Sequence, residues 1–170
     1  YDMMSFSVTE RKRPGPNRRS VEISLVTENA LMPVLDLSLF PNTVTDVFIQ
    51  IIQADAGTRC AGISAAAMAL ADAGIPMKDL VAAISVGKVG DKIVLDLNKE
   101  EEDYKEGSTD IPVAVMPRNG EISLLQLDGD VSKDDLLQAL KMAKKGCDEI
   151  YKIQRQALKE KYSGGNEDEL

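Results

Sequence analysis

An alanine-rich segment at residues 60–72 restricts the fold more than any other part of this sequence. Six of its residues are alanines, and alanine has the highest helix propensity. Gly74 and Pro76 follow it, in the order that commonly ends a helix. Because short side chains allow a helix to approach its neighbour closely, the segment predicts a helix packed tightly against a sheet or a second helix.

Apolar patterns predict strands on both sides of this helix. Residues 43–53 predict a strand that is apolar, and therefore covered, on both faces: Val47, Phe48, Ile49, Ile51 and Ile52. A strand is also expected at the start of the chain, with three residues on one face: Met4, Phe6 and Val8. Three or four strands follow the helix, at residues 80–89, 92–97, 111–116 and 121–127, with hairpin turns at 87–91 and 118–120.

Capping signals predict two further helices. Asn17 can cap a helix with Arg18 and Arg19 in its first turn. Ser132 and Asp135 resemble a capping box, which would begin a helix that runs to about residue 162. One stripe of this helix is apolar: Leu136, Leu140, Ala143, Cys147, Ile150 and Ala157. The order of elements predicts one α/β or α+β domain with a mixed sheet at residues 1–162, and a disordered acidic tail at 163–170.

Composition excludes several classes of chemistry. The 170 residues contain no histidine, which removes histidine-based triads, histidine metal sites and imidazole general bases. Cys60 and Cys147 form no CxxC pair, so neither a zinc site nor a disulfide framework is indicated. We therefore expect a reducing, cytoplasmic environment, and the short apolar runs predict no membrane span. Catalysis would have to use carboxylates, arginines, lysines, hydroxyls, backbone dipoles or a metal ion held by oxygen.

Charge is distributed unevenly along the chain. The net charge is −8, which argues against a protein that coats nucleic acid non-specifically. Residues 11–19 nevertheless contain five basic and no acidic side chains: Arg11, Lys12, Arg13, Arg18 and Arg19. Pro14 and Pro16 predict a loop in this basic run. A local basic patch binds phosphates even when the rest of the surface is negative.

Two sets of residues could bind anions, and each also has a purely structural interpretation. Gly57, Thr58 and Arg59 lie between a strand and a helix, where free backbone N–H groups bind phosphate. Alternatively, Thr58 only caps the helix and Arg59 is solvated. Arg18 and Arg19 suit a clamp on phosphate or on an RNA backbone, or else a solvated loop.

A third set is acidic. It comprises the segment at residues 96–103 and Asp110, which begins the next strand. Clustered carboxylates can hold Mg²⁺ or protonate a leaving oxygen, although most acidic runs are polar loops. Two anion-binding elements and one acidic element in one chain suit phosphoryl chemistry, in which the protein mainly positions groups and neutralises charge.

Four segments, at residues 10–19, 53–59, 71–77 and 96–110, resemble the RNase PH family in this order, and most of all its archaeal exosome members. The resemblance covers nearly all of the chain up to the last helix. It implies a fold related to domain 2 of ribosomal protein S5, and 3′→5′ exoribonuclease activity in which inorganic phosphate releases nucleoside 5′-diphosphates. It also implies single-stranded RNA as the substrate, a hexameric ring shared with an inactive sister subunit, and cap proteins with S1 and KH domains.

The resemblance also assigns roles to individual residues. The phosphate-binding loop of the family matches Gly57, Thr58 and Arg59. Arg18 and Arg19 match the paired arginines with which family members contact the RNA backbone. The run of Arg11, Lys12 and Arg13 would face the RNA. Two family aspartates, implicated in acid catalysis, in binding Mg²⁺ or Mn²⁺, or in both, match Asp103 and Asp110.

This sequence departs from the family pattern in two places. Asp103 and Asp110 are one residue further apart than the pattern implies, so Glu102 competes with Asp103 for the role of second carboxylate. Family members also carry a further segment with early strands before position 1, so the first sheet is expected to be incomplete. Two alternatives stay open: a non-catalytic scaffold subunit that binds RNA, and a stand-alone RNase PH that trims the 3′ ends of transfer RNA.

Overall fold

The computed structural model describes residues 1–13, 15–105 and 107–163. Its strands are β1 (Asp2–Met3), β2 (Gln50–Ile51), β3 (Ala82–Val89), β4 (Lys92–Leu95), β5 (Ser108–Met116) and β6 (Glu121–Leu125). Its α-helices are α1 (Arg18–Leu31), α2 (Thr58–Asp72), α3 (Lys99–Glu102) and α4 (Lys133–Ser163), with 3₁₀ turns at Met32–Val34 and Leu37–Leu39. The predicted α/β class is confirmed, but the described strands form an antiparallel sheet and a separate parallel pair in place of one mixed sheet.

A four-stranded antiparallel sheet lies at the centre, in the order β4-β3-β5-β6. Its longest pairing joins β3 and β5, from Ala82 opposite Val115 to Val89 opposite Ser108. Alternate residues of these strands point to opposite faces of the sheet. Helices pack on both faces, which buries most of β3 and β5.

The two faces of the sheet form separate hydrophobic clusters. One cluster joins α1 and α2 to the sheet and includes Ala66, Ala67 and Ala83. The other joins α4 to the opposite face and includes Val113 and Cys147. The alanine-rich helix therefore packs closely on a sheet, as its composition predicted.

The predicted signals at the starts of two helices are confirmed. Asn17 Oδ1 accepts a hydrogen bond from the backbone N–H of Ser20 at 2.9 Å, and Ser20 Oγ accepts one from the N–H of Asn17 at 2.8 Å. These two bonds form a capping box at the start of α1. At the start of α4, Ser132 Oγ accepts a hydrogen bond from the N–H of Asp135 at 3.2 Å.

The long helix α4 departs from its predicted pattern near its end. It includes Ser163, the first residue of the expected tail, and residues 164–170 lie outside the described part of the chain. Ala157 is exposed, whereas Gln154 is buried because its Nε2 donates hydrogen bonds to the carbonyl oxygens of Ser64 and Val81, both at 3.1 Å. Of the helices that the structure describes, none is both long and apolar enough to cross a membrane.

The strand predicted at the start of the chain is wrong in extent. β1 ends at Met3, and the chain then turns, since the N–H of Ser7 donates to the carbonyl oxygen of Met4 at 2.9 Å. Phe6 is consequently exposed, and Ser7 is buried in its place.

The strand predicted at residues 43–53 is likewise shorter and covered on one face only. It is reduced to β2, which within the described residues pairs with β1 alone. Ile49 and Ile51 face the core, but Phe48 is 87 % exposed and Ile52 is also exposed. An apolar pattern on both faces of a strand predicts that both are buried, but only the packing shows which face other elements cover.

Gly87 lies within β3 and not in the turn predicted at residues 87–91, which is confined to Gly90 and Asp91. A Cβ atom at Gly87 would lie only 2.0 Å from the carbonyl oxygen of Thr109. Glycine is therefore required where β3 approaches β5 closely. Asp110 is the residue paired with Gly87 in the register of the sheet.

Candidate active site

One face of the central sheet becomes polar near the N-terminus of α2. Ala83 and Ser85 on β3 share this face with Asp110 on β5, because strand residues alternate. Ser85 is buried, and its hydroxyl donates a short hydrogen bond to Asp110 Oδ1. The backbone of Asp110 exchanges two hydrogen bonds of 2.9 Å with Asp128. The sheet and its buried serine therefore hold the Asp110 carboxylate in place.

The N-terminus of α2 lies beside this carboxylate. Gly57 precedes the helix with a left-handed φ of +58°, and among the described residues no side chain caps this end. Thr58 and Arg59 occupy the first turn, so their backbone N–H groups lack partners within the helix. Thr58 Oγ1 lies 2.7 Å from the hydroxyl oxygen of Tyr1. An uncapped helix end of this kind favours a bound anion.

Two residues distant in sequence hold the guanidinium of Arg59. Its Nη1 donates a short hydrogen bond to Gln126 Oε1, and its Nη2 lies 3.4 Å from both carboxylate oxygens of Glu22. The Arg59 side chain is 17 % exposed, and its buried Nε has no hydrogen-bond partner among the described residues. Because an unpaired buried donor is costly, the Arg59 guanidinium has unused capacity to form hydrogen bonds beside the cavity.

The two candidate carboxylates on α3 have different surroundings. Asp55 Oδ1 accepts a hydrogen bond of 3.0 Å from the N–H of Lys99, which ties α3 to the loop before α2. Burial raises the pKa of the Glu102 carboxyl above its usual value, and the nearby charge of Asp110 raises that pKa further. Asp103 is 64 % exposed, and its carboxylate accepts a hydrogen bond from Lys99 Nζ at 2.6 Å. Of the two, Glu102 interacts with Asp110.

These elements surround one cavity of about 620 Å³. Most of the site residues that the sequence singled out line it: Arg19, Gly57, Thr58, Arg59, Asp103 and Asp110. The remaining predicted basic residues are exposed and are not among the described residues that line it: Arg11, Lys12, Arg13 and Arg18. The anion-binding and acidic sets predicted separately are therefore neighbours.

The cavity carries more negative than positive side chains. Its cationic residues are Arg19, Arg59 and Lys99, and its acidic residues are Glu22, Glu102, Asp103, Asp110 and Asp128. A phosphate group entering the cavity would meet repulsion unless a cation or a protonated carboxyl offset it.

The described residues contain no group of three His, Cys, Asp or Glu side chains that could hold a metal ion. Mg²⁺ is, however, commonly bound by one or two carboxylates together with substrate phosphates, and the Asp110 carboxylate fits that mode.

Cys60 also lines the cavity but is not suited to act as a nucleophile. Burial, and next the charge of Asp110, raise the pKa of its thiol to about 12. Since the thiolate is the reactive form, Cys60 is inert near neutral pH.

Sequence reasoning missed four residues of this site: Glu22, Ser85, Gln126 and Asp128. Two of them carried a usable signal: Glu22 follows Arg19 by three residues on one helix, and Ser85 interrupts a mainly apolar strand. Gln126 and Asp128 carried none, because their place depends on the pairing of residues 126–128 with β5.

Comparison with known protein families gives two adjoining matches. The RNase PH model described as “3′ exoribonuclease family, domain 1” matches residues 1–76. The model described as “3′ exoribonuclease family, domain 2” matches residues 79–146. Together the two matched ranges contain every residue that lines the cavity.

Curated relatives are similar over almost the whole chain. The exosome complex component Rrp41 of Thermococcus kodakarensis is 62 % identical over 162 residues, which are 95 % of this chain and 64 % of that protein. The Rrp41 of Pyrococcus abyssi is 60 % identical with the same coverage of both chains. The Rrp41 of Methanopyrus kandleri is 57 % identical over 164 residues, or 96 % of this chain and 68 % of that protein. The chain therefore spans just under two thirds of the length of the first two relatives.

A solved structure has the same fold. The crystal structure of rice (Oryza sativa) Rrp46 matches with a TM-score of 0.80 at 23 % identity, covering 93 % of this chain and 71 % of that one. At this identity the likeness concerns the fold alone. The family matches and the archaeal relatives confirm what the four sequence segments resembled: this chain belongs to the RNase PH family of 3′ exoribonucleases.

Proposed function

We propose that this chain is the catalytic RNase PH-type subunit of an archaeal exosome, which degrades RNA from its 3′ end by phosphorolysis. The observation that carries the proposal is one cavity shared by the N-terminus of α2, Arg59, Glu102 and Asp110. An anion-binding helix end beside acidic groups suits the transfer of a nucleotide from RNA to phosphate. The names of the relatives, which are exosome complex components, support membership of an assembly.

In this proposal, inorganic phosphate binds at the N-terminus of α2. It would accept hydrogen bonds from the backbone N–H groups of Thr58 and Arg59 and from the Arg59 guanidinium. One phosphate oxygen attacks the phosphorus of the last phosphodiester, and the bond from that phosphorus to the 3′ oxygen of the preceding nucleotide breaks. The products are a nucleoside 5′-diphosphate and an RNA that is one nucleotide shorter.

The leaving 3′ oxygen takes up a proton and becomes a hydroxyl. Glu102 is suited to supply that proton, because its raised pKa keeps more of it protonated than an exposed acid would be. The Asp110 carboxylate would lie beside Glu102 in this step, held in its orientation by the hydrogen bond from Ser85. Asp103 remains the competing prediction for the second carboxyl, but its exposure and its bond to Lys99 favour Glu102.

The RNA strand would be held by basic side chains. Arg19 lines the cavity, and Arg18 is adjacent to it at the start of α1. The run of Arg11, Lys12 and Arg13 is also exposed and would contact RNA outside the cavity. Arginine forks suit backbone phosphates, which carry no sequence information, so we expect single-stranded RNA to be bound with little sequence preference.

We also propose that Mg²⁺ or Mn²⁺ takes part, bound through the Asp110 carboxylate together with phosphate oxygens. The excess of carboxylates over cations in the cavity supports this expectation. When bound, the ion would neutralise charge on the reacting phosphates.

The partners follow from the family and are proposals. They are an inactive RNase PH-like sister subunit in a hexameric ring, and cap proteins with S1 and KH domains. The names of the archaeal relatives support an assembly. Cys60 and Cys147 are free and buried, which suits a reducing compartment such as the cytoplasm.

Degradation of a 3′-labelled, single-stranded RNA tests this function. The chain is assembled with its ring partner and incubated with and without inorganic phosphate. We expect labelled nucleoside 5′-diphosphates only when phosphate is present. Nucleoside monophosphates without phosphate would indicate hydrolysis, and no degradation by a confirmed assembly would favour a scaffold subunit.

Asp110→Asn serves as the test of the site. We expect it to abolish turnover while RNA binding, measured without divalent metal, stays close to that of the wild type, because a carboxylate repels the phosphates of the bound strand and adds no attraction to it. Asp148→Asn, an exposed position on α4, is the matched control and should keep full activity. Strongly weakened RNA binding by Asp110→Asn would contradict the assigned role.

A further inference from the structure

Arg59, Glu22 and Gln126 form a closed set of polar contacts within the cavity. Besides their contacts with Arg59, Glu22 and Gln126 contact each other, since Gln126 Nε2 donates to Glu22 Oε1 at 3.4 Å. The partners of Arg59 are at its two Nη atoms, which leaves the buried Nε–H unpaired among the described residues. The contacts thus restrict the plane of the guanidinium, and they leave the Nε–H and one N–H on each Nη for a ligand.

The two partners of Arg59 are themselves fixed by different elements. Glu22 lies on α1, one turn after Arg19, which also lines the cavity. Gln126 follows β6, and its backbone N–H donates to the carbonyl oxygen of Pro112 on β5 at 3.1 Å. Because β5 also carries Asp110, Gln126 sets the place of the guanidinium relative to that carboxylate.

The charges of Glu22 and Gln126 indicate that these residues orient Arg59 and do not themselves attract phosphate. Glu22 is 47 % exposed, so water screens its ion pair with Arg59 and the pair contributes little stability. Its carboxylate would also repel a phosphate ion nearby. Gln126 is neutral, so its hydrogen bond can hold Arg59 in place without repelling the anion.

We propose that Glu22 and Gln126 are positioning residues that hold the Arg59 guanidinium at the cavity so that its remaining N–H groups receive inorganic phosphate. The inference rests on the proposed function, because phosphate is the co-substrate of that reaction. It adds two residues, from α1 and from the segment after β6, to the phosphate site at the start of α2.

Binding of inorganic phosphate to the full chain, measured by calorimetry, tests the proposal independently of RNA degradation. Gln126→Met removes the acceptor while keeping the shape, and we expect it to weaken phosphate binding about fivefold, as loss of one hydrogen bond does. Glu22→Met should weaken binding as well, whereas Glu22→Gln, which keeps an oxygen acceptor, should bind as tightly as the wild type or more tightly. Gln138→Met on α4 and Glu28→Met on α1 are exposed matched controls.

In the assembled enzyme, Gln126→Met and Glu22→Met should raise the KM for phosphate and leave kcat at saturating phosphate nearly unchanged. A merely structural role would instead lower kcat or the melting temperature without this selective change. Unchanged phosphate binding by Gln126→Met, or no phosphate binding by the wild type, would overturn the proposal. If the wild type binds phosphate but degrades RNA without it, the proposed function fails while the binding comparison still decides the role of Glu22 and Gln126.

Discussion

Glu102 and Asp103 are adjacent in sequence but differ in what they contact. The Glu102 side chain is 27 % exposed and lies near Asp110, whereas Asp103 projects to solvent beside Lys99. Successive residues of a helix are rotated by about 100°, so the two side chains leave the end of α3 in different directions. The order of acidic residues alone could not decide which of them acts with Asp110.

Glu102→Gln and Asp103→Asn separate the two assignments. If Glu102 protonates the leaving oxygen, we expect Glu102→Gln to lower kcat about 100-fold, in the range of general acid catalysis. Asp103→Asn should retain most of the activity. Turnover is measured on the same RNA at saturating phosphate, and the reverse ranking would restore the assignment of Asp103.

At the scale of the element, α1 connects the basic and the acidic parts of the cavity. It carries Arg19 and Glu22 on one face, and the capping box of Asn17 and Ser20 sets where the helix begins. Arg18 and Arg19 in the first turn oppose the helix dipole, and no acidic residue in that turn compensates for them. The start of α1 therefore depends strongly on its cap.

Asn17→Ala tests this dependence. Loss of the cap should lower the free energy of unfolding by about 1 kcal/mol, the usual cost of replacing a capping side chain by alanine. Asn29→Ala, at an exposed interior position of the same helix, should be neutral or slightly stabilising because alanine is the better helix former. Both values come from urea denaturation, and equal effects would contradict the importance of the cap.

At the scale of the whole molecule, an ion pair joins the central sheet to the layer formed by α4. Lys88 Nζ on β3 donates to Asp135 Oδ2 at 2.7 Å. This hydrogen bond holds the pKa of Asp135 below its ordinary value of 3.8 and raises the pKa of Lys88 above 10.5. A lowered carboxyl pKa stabilises the folded state above pH 3.8, and this contribution is lost as the pH falls through the pKa of the folded protein.

Asp135→Asn should therefore destabilise the protein at neutral pH, and its difference from the wild type should shrink as the pH falls below 3.8. Asp134→Asn is the matched control, because it removes the same charge from the same helical turn. The free energy of unfolding is measured for all three proteins across the acid range. A pH dependence shared by both variants would assign the effect to the helix dipole and not to Lys88.

Local interactions made much of this protein predictable from its sequence. The capping box of Asn17, the alanine-rich helix, the hairpins after it and the Gly57-Thr58-Arg59 turn all depend on residues close to one another in the chain. Such signals are complete within a few residues, so they do not require knowledge of the fold. The resemblance to the RNase PH family rests on these same short segments.

The tertiary structure decided the features that depend on contacts between distant residues. Gln126 reaches Arg59 across 67 positions of the chain, through the register between β5 and the segment after β6. Packing likewise turned Glu102 toward Asp110, buried Gln154, and left Phe48 exposed where an apolar pattern had predicted a covered strand. Residue types show which side chains avoid water or carry charge, but only the packed sheet and helices determine which of them meet.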